Sequence, residues 1–286
     1  MENRKLNFFT DKCLCGSNLL IKDCCLTRVV DTSPPGPKTN YSHPRCYARS
    51  LNDCSKQLSK EHYISKSILE LNNESRFLEV SGFPWQKSEN LTPVSIKDLA
   101  SNVMCARHNS ALSSLDSLAL TVFDFLTINS ANEDFKFLNG NEFERWFLKL
   151  LCGLFSSGNV LINNKKFKGW QPPSEWLHVL FKQKPIAEDS GLFWITGQWK
   201  ANSKSMLLIP VMSSENQSPI ALVFGYAGFG FLFSMVQPPP RDKPSIYNTE
   251  TNHRPSIVQL RRSNSTSVRE LHTNWKNGSM IVLEQT

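Results

Sequence analysis

Seven of the chain's eight cysteines fall before residue 106, in three short groups. The first holds Cys13, Cys15, Cys24 and Cys25, the second Cys46 and Cys54, and the third Cys105 alone. Cys152 stands apart in the apolar run FLKLLCGLF and reads as a small core residue. The first twelve residues, MENRKLNFFTDK, lack the apolar core of a signal peptide, so a cytoplasmic protein is expected. In a reducing compartment clustered thiols are metal ligands more often than disulfides. Cys13 and Cys15 are one residue apart, and after eight more residues come Cys24 and Cys25. Four thiolates from the two ends of a short hairpin can close a tetrahedron around zinc, with Gly16 and Ser17 permitting the sharp turn. A unit this small has almost no core, so without metal it would be unfolded. The plainer reading is two adventitious cysteine pairs.

The string CLCGSNLLIKDCC resembles the SEC-C motif, the C-x-C-G-S…K-x-C-C knuckle at the end of the SecA translocation motor and on many other bacterial proteins. The match covers thirteen residues and every ligand position. The resemblance implies zinc and a docking role, with a protein partner.

A second resemblance spans residues 46–116, where LSKEHYISKSIL and NVMCARHNSALSSLD are similar to the HNH, or ββα-metal, nucleases. That family joins an acidic residue and a histidine on a strand to a cysteine-bearing turn that leads into a helix. By this resemblance Glu61 stands at the first catalytic-metal ligand, His62 at the general base and Asn109 at the helix-borne metal ligand. Cys46, Cys54, Cys105 and His108 stand at the structural zinc ligands. The chain departs from the pattern in several places. Seven residues separate Cys46 from Cys54 where two are usual, and Ser65 replaces a proline. Ala100 occupies the position of the family's middle asparagine, with Asn102 two residues out of step. Asp116 has no counterpart.

The resemblance implies two structural Zn²⁺ and a catalytic Mg²⁺ or Mn²⁺. A neutral imidazole can take a proton from water near neutral pH, and a divalent cation can stabilise the scissile phosphate and leaving oxygen. A carboxylate and a carboxamide suit a hard ion that keeps some of its waters. The implied function is phosphodiester hydrolysis with nucleic acid as partner, DNA ahead of RNA. The family association further suggests defence against phage. The alternative is a non-catalytic zinc adaptor that binds protein or nucleic acid. In that reading the thiols hold the fold and Glu61–His62 is an exposed pair on a zinc-stapled scaffold.

These groups need elements to carry them. TSPPGPKTNYSHP, with four prolines and a glycine, reads as a linker. The organisation expected is a knuckle at 1–30, a linker at 31–44, a ββα-metal module at 45–118 and an α+β domain with an antiparallel sheet at 119–286. SKSILELN and HNSALSSLDSLALTVFDFL have helical spacing, whereas the stretch up to Ala100 reads as loop-rich. NGNEFERWFLKLLCGLFSSGN predicts a helix capped by Asn141, with Phe143, Trp146, Phe147, Leu150, Leu151 and Leu154 on one apolar face. GLFWITGQWK, SMLLIPVM and PIALVFGYAGFGFLFSMV read as strands, and SIVQLRR and SMIVLEQ as added edge strands, the main run ending at the PPP of 238–240.

Other groups are weaker. His43, His178, His253 and His272 lack partners at ligand spacing. Lys165, Lys166 and Lys168 beside Trp170 suit nucleic acid but read better as a solvated turn, and Arg261–Arg262 is no stronger. Gly228 and Gly230 lack a following helix and read as a hairpin turn or bulge rather than a nucleotide loop. With 40% hydrophobic and 20% charged residues, the 286-residue chain can bury an ordinary core. Its 32 Lys+Arg against 25 Asp+Glu give +7, a mild bias toward polyanions. No apolar run of membrane-spanning length occurs, so no membrane partner is expected. The oligomeric state is not legible.

Overall fold

A computed structural model describes residues 6–62, 64–71, 77–80, 92–127, 134–162, 165–196, 206–237, 250–262 and 268–285. The prolines at 238–240 lie outside the described residues. Strand β1 (Leu58–His62) is followed by helix α1 (Lys66–Leu71). The short pair β2 (Phe77–Val80) and β3 (Thr92–Ser95) lies in the stretch read as loop-rich. Then come β4 (Ala100–Cys105) and α2 (Ala106–Leu126). The rest of the chain contributes β5 (Phe135–Leu138), α3 (Gly140–Ser156), the pair β6 (Leu161–Ile162) and β7 (Lys165–Lys166), and α4 (Ser174–Lys182). It ends with β8 (Gly191–Ile195), β9 (Met206–Met212), β10 (Pro219–Tyr226), β11 (Phe229–Ser234), β12 (Thr251–His253), β13 (Ile257–Arg262), β14 (Val268–Thr273) and β15 (Met280–Gln285). The class is α+β, as the sequence predicts. Among the described residues, no helix is long and apolar enough to cross a membrane.

Two larger sheets form. One has the order β12-β8-β11-β10-β9 and is antiparallel throughout. Its β10–β11 hairpin turns at Ala227 and Gly228, with φ of 51° and 85°. Positive φ at both central residues matches the right-handed twist of the flanking strands, so Gly228 is a turn glycine. Gly230 instead lies within β11, opposite Gly225. The second sheet, β15-β13-β14-β5, is mixed, because β13–β15 and β14–β5 run parallel. The first sheet is the antiparallel sheet expected, and the second adds two parallel pairs to it. SIVQLRR is also an interior strand, with Val258 and Leu260 buried, while β15 lies at the edge as expected. Its neighbour β14, VRELHT, hides among charged residues and gives no simple apolar alternation.

Helix α3 lies at the centre of the molecule. Its six predicted apolar-face residues are buried, but so are Glu142, Glu144, Arg145 and Lys149. Asn139, not Asn141, caps it, accepting the Asn141 backbone N–H at 3.2 Å. The Asn141 side chain is used differently: its Oδ1 accepts Trp275 Nε1–H at 3.1 Å. Charge can be buried around α3 only because each group is paired. Glu142 meets Arg145 at 2.5 Å and accepts the Val30 N–H at 3.0 Å. Arg145 also donates to the Val30 and Leu180 carbonyls at 3.1 and 2.6 Å. Glu144 binds Arg254 Nε at 2.8 Å and the Leu192 N–H at 2.8 Å. These bonds tie α3 to the chain after the knuckle, to α4 and to β8. One apolar cluster runs from Cys46 to Ile281, and α2 continues through residue 118, the boundary expected between two domains.

Arg254→Ala should destabilise the protein by about 3 kcal/mol, because it leaves the Glu144 carboxylate buried and uncompensated. Urea denaturation of zinc-loaded protein measures this; a loss below ~1 kcal/mol would show the pair to be dispensable.

Candidate functional site

The first cysteine group forms a compact knuckle. Lys12 bridges Leu20, and the Cys13 N–H donates to the Leu19 carbonyl at 2.8 Å. Gly16 and Asn18, with φ of 81° and 62°, carry the reversal. A 3₁₀ turn at Ile21–Asp23 then delivers Cys24 and Cys25. Cys15 and Cys24 sulfurs lie 3.4 Å apart, Cys13 and Cys25 sulfurs 3.7 Å. All four Sγ atoms fall within 4.8 Å of one another. The Ser17 hydroxyl, 3.0 Å from Cys24 Sγ, also hydrogen-bonds Cys15 and draws its thiol down to about 6. Burial pushes Cys24 and Cys25 the other way. Four sulfur donors at these separations can hold a zinc ion, and binding would release the protons that the buried thiols retain. The knuckle is not a free appendage. Ile21, Leu26 and Phe8 pack with Phe137 of β5, and the Phe8 ring lies 5.7 Å from Phe137 and 5.2 Å from His272.

The second group is assembled from three places in the chain. A 3₁₀ turn at Arg49–Leu51 and a left-handed Asn52 fold the long interval between Cys46 and Cys54 back on itself. The Tyr47 N–H anchors this loop on the Val103 carbonyl of β4 at 2.9 Å. Cys105 ends β4 and serves as the N-cap of α2, so His108 lies in the first helical turn. His108 Nδ1 is 3.2 Å from Cys105 Sγ, 3.6 Å from Cys46 Sγ and 3.8 Å from Cys54 Sγ. All four residues are buried, and their donor atoms lie within 4.8 Å of one another. Burial opposes charge on His108, but the Cys105 and Cys54 thiols outweigh it and raise the imidazole to about 9. The Ser55 N–H donates to Cys105 Sγ at 3.4 Å, and the His108 ring packs on Phe181 with centroids 4.9 Å apart. This is a closed three-sulfur, one-nitrogen set that can hold a structural zinc. Elemental analysis of reduced protein should find two zinc per chain; less than one would refute the assignment.

The Cys46, Cys54, Cys105 and His108 cluster lies at the junction of two strands and a helix. β1 pairs with β4 antiparallel, Glu61 opposite Ser101 and His62 opposite Ala100, with a register shift between Ser59 and Glu61. α2 leaves directly from the end of β4. Asn109 in its first turn donates Nδ2–H to Ser59 Oγ at 2.9 Å. Glu61, His62 and Asn109 line one open cleft of about 510 Å³, with Lys60, Ser65, Lys66, Ser110, Ser113 and Asp116 also on its wall.

The three residues differ in their surroundings. His62 is half-buried, and its Nε2 is itself buried, with no hydrogen-bond partner among the described residues. Burial draws the imidazole below its ordinary range, partly opposed by the Ile96 carbonyl, so it is neutral near pH 7. Glu61 is 3% exposed, so Glu61 and His62 are not an exposed pair. Its Oε1 lies 2.6 Å from Lys149 Nζ. Burial pushes the Glu61 carboxyl up, and the Lys149 ammonium opposes it.

Lys149 is the residue that sequence reasoning missed. Its ammonium also donates to both Asp116 oxygens at 2.7 Å. Asp116 in turn accepts from Ser65 Oγ, and Ser65 Oγ accepts Trp146 Nε1–H at 3.0 Å. Two departures from the nuclease pattern, Ser65 and Asp116, are thus bonded to each other. The one available signal was a lysine three residues after Trp146 on a helix read as apolar at that face. Asn102 is exposed.

The weaker candidates have structural partners. His253 stacks on Phe193 with centroids 4.4 Å apart and meets the Ser190 carbonyl at 2.8 Å, while His272 pairs with Glu270 at 2.9 Å. Trp170 packs on Phe155 and Trp176 beside the exposed Lys165 and Lys166. His43 lies edge-on to Tyr41. Compared with known families, curated proteins and solved structures, the chain matches none.

Proposed function

We propose that the chain is a metal-dependent nuclease of the HNH type, hydrolysing phosphodiester bonds of nucleic acid, DNA ahead of RNA, in the cleft of His62. One observation carries the reading: the neutral imidazole of His62 lines an open cleft with Glu61 and Asn109 on a ββα frame. In this reading His62 removes a proton from water as its oxygen attacks phosphorus, and the bond from phosphorus to the leaving sugar oxygen breaks. Glu61 and Asn109 would hold Mg²⁺ or Mn²⁺, which supplies charge stabilisation at the phosphate and leaving oxygen. The donors fit a hard cation in kind. The Asn109 amide nitrogen is committed to Ser59, which leaves its oxygen as the donor, and Glu61 offers a carboxylate shared with Lys149.

The two cysteine clusters are read as zinc sites, the first of them SEC-C-like. Exposed Phe9, Leu14, Leu19 and Val29 on and beside that knuckle support a protein partner there. Thiol ligand sets fit a reducing, cytoplasmic setting. The Glu61–Lys149 ion pair favours the second reading, a zinc adaptor without catalysis.

Purified protein incubated with plasmid and with single-stranded DNA or RNA, with and without Mg²⁺ or Mn²⁺, separates the two. Metal-dependent cleavage supports the nuclease, and binding without cleavage supports the adaptor. Asn109→Ala should raise the metal concentration for half-maximal cleavage at least ~10-fold, since even partners of metal ligands cost that much. An unchanged metal titration would remove Asn109 from the ligand set.

A further inference from the structure

Three charged side chains from three elements meet beneath the cleft. Lys149 of α3 reaches Glu61 of β1 at 2.6 Å and Asp116 of α2 at 2.7 Å. The lysine side chain is 2% exposed, so it cannot touch a substrate, while the Asp116 side chain keeps 26% exposure toward the cleft. A buried ion pair is a poor device for stability alone, because apolar packing of the same volume does as well or better. Placement under the cleft floor gives this one a consequence for charge. Within this triad Glu61 and Asp116 set two negative charges against the one positive charge of Lys149, while Lys60 and the Lys66–Glu70 pair also line the cleft. The ammonium also sits on one of the two Glu61 carboxylate oxygens.

We propose that Lys149 is a positioning residue that sets the cation affinity of the His62 cleft by competing for the Glu61 carboxylate. This rests on reading the cleft as a cation-dependent nuclease site. A divalent ion bound to Glu61 is repelled by the ammonium at short range in a partly desolvated place, where a unit charge acts far more strongly than in water. Asp116 counters this by sharing the lysine. The cleft therefore binds its metal weakly, and the ammonium holds the carboxylates in place while no metal is there.

The test is a Mn²⁺ titration of the full-length, zinc-loaded chain, read by loss of the free-Mn²⁺ electron paramagnetic resonance signal, with zinc held at two per chain. Lys149→Met should bind Mn²⁺ at least about tenfold more tightly than wild type. Lys149→Arg, which keeps the charge, should bind as wild type does. Glu61→Gln in the Lys149→Met background should abolish the gain, which places the ion in the cleft. Asp116→Asn covers the case in which Lys149→Met does not fold. It leaves the ammonium to Glu61 alone, and Mn²⁺ affinity should fall below that of wild type. Equal or weaker binding in folded Lys149→Met, or wild-type affinity in Asp116→Asn, overturns the proposal. If wild type still cleaves with Mn²⁺ in that case, the nuclease reading survives. Failure of wild type and of every variant both to bind Mn²⁺ and to cleave overturns the two together.

Discussion

Cys105→Ser should reduce the zinc content from two ions per chain to one and cost the ββα unit its fixed structure. Cys105 stands where strand, helix and ligand cluster meet. It ends β4, stands at the N-cap position of α2 without a side-chain capping bond, and places its sulfur 3.2 Å from His108 Nδ1. A serine hydroxyl is a poor replacement for a thiolate on zinc, and removal of one ligand leaves the other sulfurs buried without their ion. Structural zinc in small finger domains contributes on the order of 10 kcal/mol at neutral pH, comparable to the whole stability of a typical domain. The loss should spread, because Cys46, Cys54 and Cys105 belong to the same apolar cluster as α3 and both larger sheets. Elemental analysis and limited proteolysis measure it, with early cuts expected between residues 45 and 118. Two zinc ions and wild-type melting in Cys105→Ser would show that the cluster does not hold the fold. Cys152→Ser is the control. That thiol is buried away from both clusters, and its replacement should leave the zinc count at two.

Both candidate metal-ligand clusters were legible in the sequence, the first from its short cysteine spacings and the second through the nuclease resemblance. The long interval between Cys46 and Cys54 reads as an anomaly until Asn52, in a left-handed conformation, is seen to turn the chain back. Helix α3 was legible from its apolar period, but its central place was not. Periodicity reports one buried face, and the remaining faces are buried by long-range pairing of Glu144 with Arg254 and of Lys149 with Glu61 and Asp116. No local pattern encodes those partners. The cap was misplaced by two residues for a similar reason: Asn139 and Asn141 are equivalent in sequence, and Trp275, far along the chain, engages Asn141. β13 reads as an edge strand because its charged end suggests exposure, yet β14 and β15 enclose it. The nuclease resemblance grouped Glu61, His62 and Asn109, but the burial of Glu61 and the lysine beneath it depend on how α3 packs.

His62→Ala should lower the rate of phosphodiester cleavage at least ~10²-fold, the low end for loss of a general base. The cause is local. The imidazole lines the cleft beside Glu61 and Asn109, and burial keeps it neutral. Folding and zinc content should not change, because His62 ligates neither cluster. Nucleic-acid affinity should stay close to wild type as well, since a neutral ring contributes little to phosphate binding. The most direct measurement is a single-turnover comparison of zinc-loaded wild type and His62→Ala on one plasmid substrate with saturating Mg²⁺ and with chelator. Metal-dependent nicking by wild type, slowed at least ~10²-fold in a folded, two-zinc His62→Ala protein, is the result this account requires. No nicking by wild type under any divalent cation, or equal rates for the two proteins, would contradict it.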